Sequence, residues 1–72
     1  MNQWTSTVYD YLRTLGDPGD EVVTKIRPWL QQEHGLTHRE AARIRDAAMK
    51  ELKDQGLVQR LNVRGPYVRI LA

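Results

Sequence analysis

Apolar residues recur at helical spacing near the start of the chain. Trp4, Val8, Tyr11, Leu12 and Leu15 fall on one side of a wheel and predict a helix over about Gln3 to Leu15. Gly16 ends it, and Asp17-Pro18-Gly19-Asp20 forms a turn. Either Asp17, with Pro18 in the first helical position, or Asp20 alone caps a second helix. That helix carries Val22, Val23, Ile26, Trp29 and Leu30 on its buried side. Pro28 lies inside it, where a missing donor and a crowded preceding turn predict a kink or two short helices meeting. A short strand over Glu21 to Thr24 is the less favoured alternative, because Val-Val-Thr is β-prone.

Gly35 closes the second helix, and Thr37-His38-Arg39-Glu40 has the Thr-x-x-Glu form of a reciprocal helix cap. From there to Asp54, Ala41, Ile44, Ala48 and Leu52 gather on one side of a third helix, and Arg39, Arg43, Asp46, Lys50 and Lys53 on the other. Asp46 and Lys50 stand in the favourable order for a helix-supporting pair worth about 0.3 kcal/mol. Arg45 falls near the apolar stripe and is expected to stay within the molecule, stacking on a tyrosine or pairing with an acid. After Gly56, Leu57 closes the core and Val58 to Val63 alternates like a strand, with Leu61 and Val63 on one face and Arg60 and Asn62 on the other. Arg64-Gly65-Pro66-Tyr67 supplies the turn. Pairing Val63 with Val68 would set Leu61 opposite Ile70 inside and Asn62 opposite Arg69 outside. The fold expected is mainly α with a C-terminal β-hairpin, one domain over residues 1–72.

Composition narrows the function. With 72 residues the core is small, and with no cysteine neither a disulfide nor a thiolate metal site can staple it. No basic flank precedes an apolar run at the amino terminus and no stretch is apolar enough to cross a bilayer, so a soluble, cytoplasmic protein is expected. The formal net charge is +2, but it is unevenly placed: residues 1–35 sum to −2 and residues 36–72 to +4. From Leu57 onward there are three arginines and no acid, which favours a polyanionic partner for the C-terminal half.

Enzymatic readings find little. Ser6 is the only serine, lies in a helix and has no base at a useful spacing. His34 and His38 are interrupted by Gly35 and have no cysteine to complete a tetrahedral zinc set. The glycines at 16, 19, 35, 56 and 65 form no phosphate-cradling loop. No enzyme activity, cofactor or metal is expected. Trp4 and Trp29 read as packing groups, and Tyr67 as a shield over the hairpin.

The run Lys50-Glu51-Leu52-Lys53-Asp54-Gln55-Gly56-Leu57-Val58, followed by Arg64-Gly65-Pro66-Tyr67-Val68, resembles the end of a winged helix-turn-helix DNA-binding domain. It is similar to the wing region of GntR-like and MarR-like bacterial regulators, though without room for their effector or dimerisation domains, so an excisionase-like phage or plasmid factor or an excised domain is implied. The resemblance implies three helices plus a two-stranded wing, with recognition helix 37–55 in the major groove of double-stranded DNA and wing 57–72 on backbone or minor groove. Thr37, His38, Arg39 and Arg43 would then reach bases and phosphates, Lys50 and Lys53, farther back, a phosphate or nothing, and Arg64, supported by Arg60 and Arg69, the minor groove or backbone. Transcriptional regulation or a DNA-architectural role follows, with a homodimer to multiply the few contacts of one module. A winged helix docking a partner protein without DNA is the alternative.

Overall fold

The structure, a computed structural model, describes residues 2–61 and 67–72. Their order is α1 (Gln3–Leu15), β1 (Glu21–Val23), α2 (Ile26–His34), α3 (His38–Asp54), β2 (Val58–Arg60) and β3 (Tyr67–Ile70). The fold is mainly helical, with three helices and an antiparallel sheet in the order β1-β3-β2.

α1 has its expected bounds because both ends are specified locally. The Asn2 side chain accepts from the Thr5 amide at 2.8 Å, satisfying one of the unpaired donors of the first turn. Val8 and Leu12 of its apolar stripe are fully buried. Gly16 ends the helix in extended backbone, φ −177°, so no left-handed turn requires it. Space does: a Cβ there would meet Val22 Cγ1 at 2.8 Å, and the missing side chain lets β1 cross close to the end of α1.

The segment from Asp20 to Lys25 corrects the sequence reading, because Glu21–Val23 is a strand and α2 starts only at Ile26. Val22 pairs with Val68 in the ladder and both are buried. The helical spacing of Val22, Val23, Ile26, Trp29 and Leu30 arose from joining one inward-facing strand valine to the separate stripe of a shorter helix. Pro28 consequently occupies the first turn of α2, where a backbone donor would have no carbonyl to serve, and the expected kink has no cause. Gly35 ends α2 at φ 66°, in the left-handed region open to glycine.

α3 opens as expected: Thr37 Oγ1 accepts from the Glu40 amide at 3.1 Å, and the Thr37 amide donates to Glu40 Oε1 at 3.0 Å. Ala41, Ala48 and Leu52 are buried against α1 and α2. Burying a leucine as fully as Leu52 stabilises the fold by about 2 kcal/mol.

The hairpin pairs in a different register from the one expected. Val58 stands opposite Ile70, Gln59 opposite Arg69 and Arg60 opposite Val68. The Leu61 amide donates to the Tyr67 carbonyl at 3.1 Å, so Leu61 stands beside Tyr67 and not opposite Ile70. The slide of three positions is odd, and an odd slide exchanges the two faces of a strand. Val58 becomes the core residue and Arg60 moves to the helix side. The expected turn at Arg64-Gly65-Pro66, and Asn62 and Val63, lie outside the described residues.

Val8, Leu12, Ile26, Leu30, Ala41, Ala48, Leu52 and Val58 form the main core, and Val22, Val68 and Ile70 a second cluster under the sheet. Met49 packs on both. The Tyr9 hydroxyl donates to the Ala72 carbonyl and ties the C-terminal end to α1. Trp4 and Trp29 pack as expected: Tyr11 and Trp29 stack at 4.2 Å, and the His34 ring lies edge-on to Trp4 at 5.2 Å and to Trp29 at 5.1 Å. No described helix is long and apolar enough to cross a membrane.

Candidate functional site

The α3 cap places the chemistry at its start. Thr37 and Glu40 spend their oxygens on each other's amides, and the Glu40 carboxyl is held below its ordinary range, first by the Thr37 amide and then by the Thr37 hydroxyl and the nearby Arg43 charge. Thr37 thus serves mainly to aim the first turn. Thr37, His38, Arg39 and Arg43 are all exposed. Arg39 and Arg43 make no ion pair among the described residues. At about 100° per residue, positions 39, 43, 46 and 50 fall within about 60° of arc, a stripe opposite the buried one.

Charges farther along α3 pair differently from the expectation. Asp46 Oδ1 accepts from Arg45 Nε at 2.9 Å, and Lys50 Nζ pairs with Asp54 Oδ2 at 3.2 Å. The predicted Asp46–Lys50 pair is therefore absent, while Arg45 does pair with an acid. These are exposed contacts of small energetic weight.

Beside this stripe lies a groove of about 620 Å³ between the start of α2, the second half of α3 and the sheet. Lys25 and Arg27 line it from α2, Arg45, Lys50 and Lys53 from α3, and Arg60 from β2. Asp46 is the single carboxylate among its described lining residues. Arg27 donates to Gln31 Oε1 at 2.7 Å along its own helix. Lys25, Lys53 and Arg60 have no ion-pair partner among the described residues. A concave surface in which six cations outnumber one carboxylate over low-dielectric walls concentrates positive potential.

The structure therefore brings Lys50 and Arg60 together in one groove and leaves Thr37, His38, Arg39 and Arg43 on the adjoining turns of α3. Arg69 is not part of it: its guanidinium is 3.0 Å from the Glu21 carboxylate, and in the ladder it alternates with buried Val68 and Ile70, so it lies on the far face of the sheet. Tyr67 is on that far face too, 48% exposed beside Val23 at 41%, and does not shield the core. Arg64 lies outside the described residues. Sequence reasoning missed Lys25, Arg27 and Arg45 as contributors. The strand alternative for Glu21 to Thr24 carried the signal for the first two, since it moves the start of α2 to Ile26, just after Lys25.

No known protein family, curated protein or solved structure matches this chain. Among the described residues no three of His, Asp and Glu stand close enough to hold a metal ion.

Proposed function

We propose that this chain binds double-stranded DNA as a winged helix-turn-helix module, with residues 37–55 entering the major groove and the hairpin of residues 57–72 lying on the adjoining backbone or minor groove. The observation that carries this reading is the two-sided character of α3: Ala41, Ala48 and Leu52 are buried while Arg39 and Arg43 stand exposed on the opposite stripe, with no ion pair among the described residues. A helix about 10–12 Å across fits a major groove about 12 Å wide. His38, Arg39 and Arg43 lie in the first turns, the part of a recognition helix that reaches base edges, and an arginine there can bond guanine in a bidentate manner. Lys50 and Arg60 meet phosphate, which positions the module without reading sequence. One module makes few base contacts, so two copies on paired half-sites would supply the specificity of a regulator or architectural factor.

Titration of labelled random duplex DNA at rising salt tests the reading. The parent should bind with an affinity that falls steeply with salt, and Arg39→Ala/Arg43→Ala should weaken it at least tenfold. A parent that shows no salt-sensitive binding at micromolar concentration would transfer the reading to a protein-docking module.

A further inference from the structure

We infer that the groove between α2, α3 and β2 is a second nucleic-acid contact, a track for one phosphodiester strand of the duplex. This rests on the duplex-binding reading and extends it to Lys25 and Arg27, which no motif marked, together with Lys53 and with Arg60 opposite them.

Two observations select a polyanion over a peptide. Of the apolar lining residues, Ile26, Val58 and Val68 are each 2% exposed and already packed in the core, which leaves only the partly buried Pro28 and Met49 to meet the anchor side chains of a docked amphipathic helix. What the groove presents to a ligand is its rim, where cations come from three separate elements. The rim also joins the α3 stripe: Lys50 belongs both to the groove lining and to the arc that holds Arg39 and Arg43. A duplex seated on that arc has its backbone at the edge of the major groove, where Lys50 leads into the Lys53 and Arg60 side. Evenly spaced phosphates match the cations of this rim: Arg45 and Lys50 already pair with Asp46 and Asp54, while Lys25, Lys53 and Arg60 have no ion-pair partner among the described residues and are left for a ligand.

The register of the hairpin is part of this site. With Arg60 opposite Val68 the strand ends on the groove side. In the alternative register Arg60 would stand on the far face with Arg69.

The test compares the parent with Lys25→Gln/Lys53→Gln/Arg60→Gln in binding to a labelled random duplex over a salt series, with Arg39→Ala/Arg43→Ala alongside. All three groove side chains are exposed, so the thermal midpoint should stay within a few degrees of the parent. The groove variant should bind about tenfold more weakly, and its log–log salt slope should be shallower by about 2 to 3, near 0.9 for each phosphate contact removed. If the triple variant unfolds, Lys25→Gln and Lys53→Gln singly should each flatten the slope by about one. Parent-like affinity and slope in the folded groove variants, with Arg39→Ala/Arg43→Ala impaired, overturns the track and leaves the proposed function standing. No duplex binding by the parent overturns both. Binding of a polyglutamate peptide that the groove variant loses, while its duplex binding is unchanged, overturns the track in favour of an acidic protein partner.

Discussion

Arg60 stands opposite Val68 in the β2–β3 ladder, which puts the last residue of β2 on the same side of the sheet as buried Val58 and Ile70. An arginine on the core side of a strand survives only where the core ends, and here it ends at the groove that Lys25 and Lys53 also line. The pairing therefore links the packing of the hairpin to the charge of the candidate site.

The register makes a stability prediction. Ile70→Ala removes a fully buried side chain and should cost about 3 kcal/mol in urea denaturation, with Val58→Ala also clearly destabilising. Leu61→Ala, at a partly buried position, should cost less than about 1 kcal/mol. A Leu61→Ala loss equal to that of Ile70→Ala would restore the register in which those two face each other.

Gly16 tests the contact between α1 and β1. Because its backbone is extended, Gly16→Ala carries no conformational strain, and replacing a glycine at a compatible site would stabilise the chain by about 0.4–1 kcal/mol through the unfolded state. The overlap with Val22 Cγ1 acts the other way, and overpacking of this kind costs about 1–3 kcal/mol. A lowered thermal midpoint is expected, and a raised one would remove the close approach from the account.

The α3 cap predicts a pH dependence. Thr37→Ala should cost about 1 kcal/mol, a fall of several degrees in the thermal midpoint for a domain of this size. Folding lowers the Glu40 pKa, so the stabilisation it brings is fully present above the ordinary carboxylate range and is lost as pH falls through the lowered folded value. The stability difference between the parent and Glu40→Ala should accordingly be widest near neutral pH and shrink in acid. A difference that is constant with pH would mean that the carboxylate charge plays no part in the cap.

Arg69 separates the two faces of the sheet. Glu21→Gln should change stability by no more than about 0.5 kcal/mol, as for other exposed ion pairs. Arg69→Ala should leave duplex affinity within about twofold of the parent, whereas Arg60→Ala should weaken it severalfold with a shallower salt slope. Equal losses in the two variants would place both faces of the hairpin on DNA.

How much could be read from the residues depended on whether the deciding contacts are local. α1 and α3 were legible to their bounds because each carries its own period, and the Thr37–Glu40 cap lies within one turn. β1 was not, since Val22 is held by Val68 from the far end of the chain, while Val22 and Ile26 happen to stand at helical spacing. The same limit hid the register: Val58, Leu61 and Val63 all suit the inside of a strand, and only the packing of Ile70 under the sheet selects Val58. The α3 arginines were visible as a stripe. The groove was not, because Lys25 and Arg27 join Lys53 and Arg60 only once β1 has been taken out of α2.

Whether α3 and the groove meet DNA together can be read from an amide chemical-shift map of the labelled protein titrated with a short duplex at moderate salt. Saturable shifts are expected at His38 to Arg43 in α3 and at Lys25, Arg27, Lys53 and Arg60 around the groove, with Val23, Glu21 and Arg69 on the far sheet face little moved. Shifts confined to that far face, or none at all at a duplex excess in the micromolar range, would contradict that joint contact.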